Sequence, residues 1–384
     1  MSESLRPAGE RAPLKIVVTA PWGERLGGAE NFLWTFLRHV NRRDVDPTVV
    51  FLSAGGFERD VAALGIQTAV IESGRLREVA SLLRTIRRLA SLLRSKGPDL
   101  IINWSPKMHL YGAAAAVLAR MSDRVTWWQH AVPNGRWLDR LATALPSRAV
   151  WCCSDAASRA QAAHWPHRPS VVIYPAIDRA PIAAPTDVAA LRRRLGIPDE
   201  RAVVGIVGRL QPWKGQDVFL RLVAAIRAQG YAVHGLVVGG NAYNLSPGFD
   251  DRLKALARDL DLQDCITFTG QVANAGPYLQ IMDVSINASA CEPFGLVILE
   301  AMAAGVPVVA YAQGGPAEIL VSGESGMLVS PGDEEALTDA IAHLLDDPAL
   351  RRRLRNAGRK RLEAFSAERM TSEMVHRFRE LCSS

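Results

Sequence analysis

The sequence predicts an α/β protein built from two doubly wound, parallel-sheet domains that face each other across a cleft. Three observations predict it. Short apolar runs rich in Val and Ile alternate with helical segments along both halves of the chain, a pattern that builds a parallel sheet with helices on both faces. A Pro- and Ala-rich stretch, 175–185, breaks the alternation, which then restarts. The length, 384 residues, exceeds one compact core and suits two domains of ordinary size.

Taken in order, residues 1–12 carry no apolar segment and read as a disordered tail rather than a signal peptide. The first domain is expected over 13–178. It opens with a strand at 14–20 (LKIVVTA), followed by a loop holding Gly27 and Gly28 and a helix from 29 to about 40. Further strands are expected at 48–52, 68–71, 100–103, 125–129, 149–152 and 171–174. A linker is expected over 179–197. The second domain, 198–365, is expected to hold strands at 203–207, 232–238, 266–269, 284–288 and 306–310, with helices at 217–229 and 250–259. Long polar helices run from 334 to about 381, and the last of them, 366–384, is expected to pack back on the first domain.

Composition narrows the function classes. Hydrophobic residues are 48% and charged residues 22%, which argues against wholesale disorder. Lys plus Arg number 45 against 39 Asp plus Glu, a net charge of +6 that suits a phosphorylated ligand or an anionic surface and is too weak for a nucleic-acid binder. Five cysteines without a C-x-x-C exclude a disulfide scaffold and a structural zinc site and fit a reducing cytoplasm. The longest apolar stretch, 297–312, is interrupted by Glu300 and Pro307, so no membrane-spanning helix is expected.

Ligands of doubly wound sheets bind at the carboxyl ends of the strands, so the loops after the strands decide the chemistry. The segment 289–305, SACEPFGLVILEAMAAG, follows a strand. Glu292 stands where a helix is expected to begin, with Pro293 at its first position. The N–H groups of Phe294, Gly295 and Leu296 would then be free, and a helix tip with free N–H groups favours phosphate. Glu300 follows Glu292 by eight residues, a helical rise of ~12 Å. That is too far for the two carboxylates to flank one bond, but it suits two hydroxyl-bearing ends of one elongated ligand. The same residues also fit a helix cap and a solvated helix position. The loop 208–215, GRLQPWKG, follows another strand and offers Arg209 and Lys214, a fork and a point charge for phosphate. A solvated basic loop reads the same way.

Together these motifs resemble the retaining glycosyltransferases of family 4, which have the GT-B fold of two Rossmann-like domains. The residues that carry the resemblance are GRLQPWKG (208–215), TGQV (269–272), EPFGLVILEAMAAGVPVV (292–309) with the family's paired glutamates at 292 and 300, GGPAEIL (314–320), GMLV (326–329) and PGD (331–333). The resemblance covers nearly the whole second half and is looser in the first. It implies that Arg209 and Lys214 bind the donor diphosphate. It implies that Glu292 and the backbone of Phe294, Gly295, Leu296 and Val297 hold the donor sugar and distal phosphate, and that Glu300 binds the ribose. Gly208 would lie beside the diphosphate and Gly270 near the base. In the first half, Gly27 and Gly28 match the family's glycine loop by the diphosphate and acceptor, although an ordinary strand-to-helix turn explains them equally well. His130, in WWQHAVPNG, matches the active-site histidine near the donor sugar. Trp128 and Asn134 are expected on the acceptor side, with a wall or core position the alternative for the tryptophan.

The implied reaction transfers a hexose from a UDP- or GDP-sugar to a saccharide or lipid-linked acceptor, with retention of configuration and no metal or other cofactor, in the assembly of cell-surface or lipid-linked glycans. Two D-x-D triplets, Asp44–Asp46 and Asp259–Asp261, lie away from the motifs and read as chance. The stretch 75–96 carries seven basic residues and one acidic residue beside an apolar stripe of Leu76, Val79, Leu83, Ile86, Ala90 and Leu93. It is either a domain helix with a solvated basic face or a contact with anionic lipid, which would place a cytoplasmic protein on the inner face of the plasma membrane. Two other classes remain in view, a nucleotide-sugar epimerase of the same fold and a non-catalytic nucleotide-sugar-binding partner. A dinucleotide-dependent dehydrogenase is disfavoured, because no G-x-G-x-x-G follows either opening strand.

Overall fold

The computed structural model describes residues 12–74, 78–242 and 245–383. The expected tail therefore falls outside the described residues, apart from Ala12, as do Arg75, Leu76 and Arg77 of the basic stretch.

The first sheet is wholly parallel and has seven strands, β1 (Leu14–Ala20), β2 (Val45–Phe51), β3 (Gln67–Val70), β4 (Leu100–Asn103), β5 (Val125–Gln129), β6 (Ala149–Cys152) and β7 (Ser170–Val172), in the order β3-β2-β1-β4-β5-β6-β7. The second has six, β8 (Ala202–Val207), β9 (Val233–Val238), β10 (Ile266–Phe268), β11 (Val284–Asn287), β12 (Val308–Tyr311) and β13 (Met327–Val329), in the order β10-β9-β8-β11-β12-β13. Each sheet reverses its winding once, between β1 and β4 and between β8 and β11. Those reversals open the crevices in which such sheets take ligands. The central strands are buried on both faces, β4, β5, β6, β9, β11 and β12 along their whole length.

Three differences from the sequence reading have local causes. The expected linker contains two short helices, Arg179–Ala183 and Val188–Arg194, whose first turns are capped by the Asp178 and Asp187 side chains. Ile182, Leu191 and Ile197 are buried against Leu279 and Met282 of the second domain, an amphipathic pattern masked by the Ala and Pro around it. The strand expected at 306–310 starts at Val308, because the Val306 N–H turns back to the Ala301 carbonyl at 2.8 Å and Pro307 has no N–H to donate. The edge strand β13 was not expected; three partly buried residues are too few to show a period.

After helices Glu334–Asp346 and Pro348–Arg361, the chain returns to the first domain as helix Ala367–Ser383. Met370, Met374 and Phe378 form its buried stripe, with Phe378 edge-on to Phe36 at 6.0 Å and to Trp151 at 5.4 Å. Burying one such aromatic ring is worth about 2–3 kcal/mol. Helix Val79–Lys96 buries only its C-terminal apolar positions, Leu89, Ala90 and Leu93, and leaves Val79 and Leu83 exposed. No helix among the described residues is long and apolar enough to cross a membrane.

Candidate functional site

Strands β8 and β11 pair in parallel register, Val204 with Val284 and Ile206 with Ile286. Their carboxyl ends therefore sit side by side, and the loops that follow, 208–215 and 288–295, touch. The Ala290 N–H donates to the Trp213 carbonyl at 2.9 Å. Strand pairing and this loop contact together bring Lys214 to Glu292. Lys214 Nζ lies 2.6 Å from Glu292 Oε2, with the two side chains 14% and 6% exposed. The same carboxylate oxygen accepts from Ser289 Oγ at 3.0 Å and from Asn287 Nδ2 at 3.4 Å. Lys214 Nζ also stands 4.2 Å from the centre of the Trp213 ring.

Glu300 is partly exposed. Burial of its carboxyl pushes its pKa up to about 7, with the Lys214 charge pulling the other way. Lys214 thus bonds Glu292 and acts on Glu300 through its charge. The two glutamates are not two positions on one helix, however. The helix runs Leu296–Ala304 rather than from Pro293, because Gly295 precedes it with φ 106° and ψ 55°, a left-handed geometry that suits glycine. A β-carbon there would also lie 3.1 Å from Ile298 Cδ1. The tip therefore presents the N–H groups of Leu296 and Val297, while Ile298 donates back to the Gly295 carbonyl at 2.9 Å. Phe294 is buried and sits just ahead of the turn.

The first domain closes over this cluster. A β-carbon at Gly27 would lie 2.6 Å from Glu30 Oε2 and 3.6 Å from Cζ and Nη1 of Arg209; one at Gly28 would lie 3.4 Å from Leu296 Cδ1. Gly27 and Gly28 therefore bring the amino end of helix Gly28–His39 against Arg209 and the helix tip. Gly208 and Gly270 lie across the same end of the second sheet. Gly208 N donates to Val238 O at 2.9 Å, and Gly239 N to Gly270 O at 3.2 Å. Gly27 and Gly28 thus face Arg209 and Leu296 across the domains, and Gly208 and Gly270 stand at the carboxyl end of the second sheet.

His130 follows β5 and stands against a wall of rings. It stacks on Trp128 at 5.5 Å and 7°, lies 5.3 Å from Trp104, and meets Phe32 at 6.1 Å and 88°. Burial depresses its pKa to about 3, the Trp104 backbone acting in the opposite sense, so the imidazole is neutral at ordinary pH. Its Nε2 is buried and has no hydrogen-bond partner among the described residues. The acceptor-side placement of Trp128 is corrected here. The ring is 0% exposed and has no face open to a substrate, because it lies between His130 and Trp151, 6.0 Å from the latter. Asn134 is exposed on the 130–136 loop and accepts the Arg136 N–H at 3.4 Å. The acidic residues of the first D-x-D triplet are used elsewhere, Asp44 by Arg379 at 2.5 Å and Asp46 by Arg42 at 3.5 Å. No group of three or more potential metal ligands occurs among the described residues.

Residues 187–361 match the family described as glycosyl transferases group 1, and residues 26–180 match glycosyltransferase family 4. The chain belongs to the family 4 glycosyltransferases. This family 4 glycosyltransferase is 39% identical over 189 residues to the D-inositol 3-phosphate glycosyltransferase of Acidothermus cellulolyticus, a match covering 48% of the chain and 42% of that relative. The chain thus spans less than half the length of that relative. It is 28% identical over 355 residues to the lipopolysaccharide core biosynthesis glycosyltransferase LpsE of Rhizobium meliloti, covering 90% of the chain and 94% of LpsE. Its fold matches that of Anabaena Alr3699/HepE, solved in complex with UDP-glucose, with a TM-score of 0.84 at 24% identity over 96% of the chain and all of that structure. The fold is GT-B.

Sequence reasoning missed Trp213, Ser289, Asn287 and Glu30. Ser289 and Asn287 flank the end of β11 and were visible as polar residues closing an apolar run. Glu30 and Trp213 carried no signal of their own, since an acidic residue in a first helical turn and a loop tryptophan are both common.

Proposed function

We propose that the protein transfers a hexose from a nucleoside diphosphate sugar, UDP or GDP, to a hydroxyl of a saccharide or lipid-linked acceptor during glycan assembly, with retention of configuration and without a divalent metal. The observation that carries this reading is Lys214, bonded to Glu292 on the loops that end beside the helix tip at 296–297, with its charge acting on the Glu300 carboxyl. A lysine near a helix tip, bonded to one carboxylate and acting on the charge of a second, suits a molecule with anionic phosphates at its centre and hydroxyls at both ends. Glu300 takes the ribose, and Glu292 takes sugar hydroxyls once the diphosphate draws Lys214 toward itself. Arg209 approaches the same phosphates from beside Gly27.

As the bond from C1 to the distal phosphate oxygen breaks, negative charge grows on that phosphate. Lys214, Arg209 and the tip stabilise it without rearranging. The acceptor oxygen bonds to C1 on the face the diphosphate leaves, and its proton passes to the departing phosphate oxygen. His130, being neutral, orients the sugar and holds no proton of the reaction. The relatives named for lipopolysaccharide core assembly support an acceptor of glycan type.

Peripheral contact with anionic membrane on the cytoplasmic side is part of the proposal. Helix Val79–Lys96 exposes Val79 and Leu83, and a groove of about 420 Å³ is lined by Ala80, Leu83, Arg84, Arg87 and Arg88. Apolar anchors beside unscreened arginines suit such a surface.

The test is a thermal-shift screen against UDP- and GDP-sugars, followed by product analysis with and without acceptor. One donor class is expected to raise the melting temperature in proportion to occupancy and to yield a product with the donor's anomeric configuration, undiminished by EDTA. No shift with any donor, or a donor isomerised in the absence of acceptor, would overturn the proposal. Recovery with vesicles that is equal with and without anionic lipid would remove its membrane part.

A further inference from the structure

The turn 314–320, GGPAEIL, matched in sequence, yet the donor site makes no use of its glutamate. The Glu318 side chain leaves the second domain and grips the first. Its Oε2 accepts the Asp155 N–H at 2.8 Å and its Oε1 the Ala156 N–H at 2.9 Å. These N–H groups open helix Asp155–Ala162, and Ser154 Oγ takes the next one, from Ala157, at 3.1 Å. A carboxylate spanning two N–H groups at a helix amino end makes charge-assisted bonds and faces the positive end of the dipole.

The same turn is fastened to the donor tip. Gly315 N–H donates to the Glu292 carbonyl at 3.0 Å, and a β-carbon at 315 would lie 2.0 Å from Phe294 O. Arg361 holds the carbonyls of Glu318 and Ile319 at 3.0 Å each and lies 5.2 Å from the centre of the Phe365 ring. Both chain crossings between the domains also meet at this point. Tyr174, just past β7, stacks on Phe294 at 5.8 Å and donates its hydroxyl to Asp155 Oδ2 at 3.1 Å. Phe365, just ahead of the returning helix, lies 5.8 Å from Phe294 and 5.8 Å from Tyr174. Residues 292–294, the turn 314–318 and both crossings therefore form one packed body, and its single charged grip on helix Asp155–Ala162 is Glu318 among the contacts described.

We propose that Glu318 is a positioning residue that clamps helix Asp155–Ala162 to the donor tip, so that occupancy of the tip sets how the first domain, and with it His130, is placed over the donor sugar. The proposal rests on the donor site argued above. The element to be biased is the relative placement of the two domains, and a donor can shift it only by contacting two placements differently.

The test compares wild type with Glu318→Ala, Glu318→Gln and Tyr174→Phe, using UDP and GDP as probes. Radius of gyration is read by small-angle scattering, nucleotide affinity by calorimetry, and kcat and KM with the donor found in the screen. Wild type is expected to compact on binding nucleotide. Glu318→Ala is expected to bind it within about threefold of wild type but not to compact, with kcat about tenfold lower and donor KM moved less. Glu318→Gln, with one acceptor oxygen left, and Tyr174→Phe are expected in between; they carry the comparison if thermal unfolding shows Glu318→Ala to be unstable. Compaction and kcat at wild-type level in the variants overturn the clamp. Nucleotide binding without compaction in wild type also overturns it and leaves the donor site standing. Failure of wild type to bind either nucleotide brings down the donor site, and the clamp with it.

Discussion

The second domain meets the cleft with charges, Arg209, Lys214 and Glu292 on loops and Glu300 on the helix that follows, arranged by the pairing of β8 with β11. The first domain meets it with one neutral imidazole against Trp128, Trp104 and Phe32. The two halves reach the same cleft by different physics. In the second, an ion pair joins Lys214 and Glu292, side chains that a diphosphate can separate, and their charges survive burial because each is the other's partner. In the first, burial removes the charge altogether, so that His130 keeps one protonation state across the working pH range.

The largest effects test the charged half. Lys214→Ala and Glu292→Ala are each expected to lower turnover ~10²-fold or more with the fold retained. Because the two side chains form one pair, the double variant is expected to cost less than the product of the singles. Steady-state kinetics with circular dichroism checks this, and near-wild-type rates in both singles would end the electrostatic account.

The aromatic half is expected to respond differently. Trp128→Ala admits water behind His130, so its depressed pKa should rise toward the usual 6.5 or so. At saturating donor, kcat is expected to fall about tenfold and to gain an acid limb near pH 6 that wild-type kcat lacks, whereas Trp128→Phe restores the flat kcat profile. A pH–rate profile unchanged by Trp128→Ala would show that the wall does not set the state of His130.

The smallest effect concerns Glu300, where the two kinds of physics meet. Its folded pKa of about 7 lies above the value of ~4.3 for an unfolded chain. The stability linked to its proton is therefore present at low pH and lost as pH rises through 7. Without donor, the Glu300→Gln variant is expected to gain a few degrees in melting temperature over wild type at pH 8 relative to the difference at pH 5, read by scanning calorimetry. With donor, wild-type KM is expected to rise a few-fold from pH 8 to pH 6, as the ionised carboxylate that accepts from the ribose is lost. The variant should show a flat profile, and a wild-type KM that also stays flat would detach Glu300 from the donor.

By itself the sequence determined the two-sheet architecture, since parallel strands buried on both faces read as short, mostly apolar runs, and the central strands show that pattern. It also offered Arg209, Lys214 and Glu292, because their places after strands signal loops at a sheet's carboxyl end, and Glu300 by its eight-residue spacing from Glu292, while Gly27 and Gly28 stood out only through the resemblance to family 4. Only the tertiary structure decided that Gly295 delays the helix, that Lys214 bonds Glu292, that Trp128 backs His130 instead of facing an acceptor, and that Glu318 reaches the other domain. Each of these depends on residues far apart in the chain coming within a few ångströms, or on a backbone dihedral, and neither leaves a period in the sequence to be read.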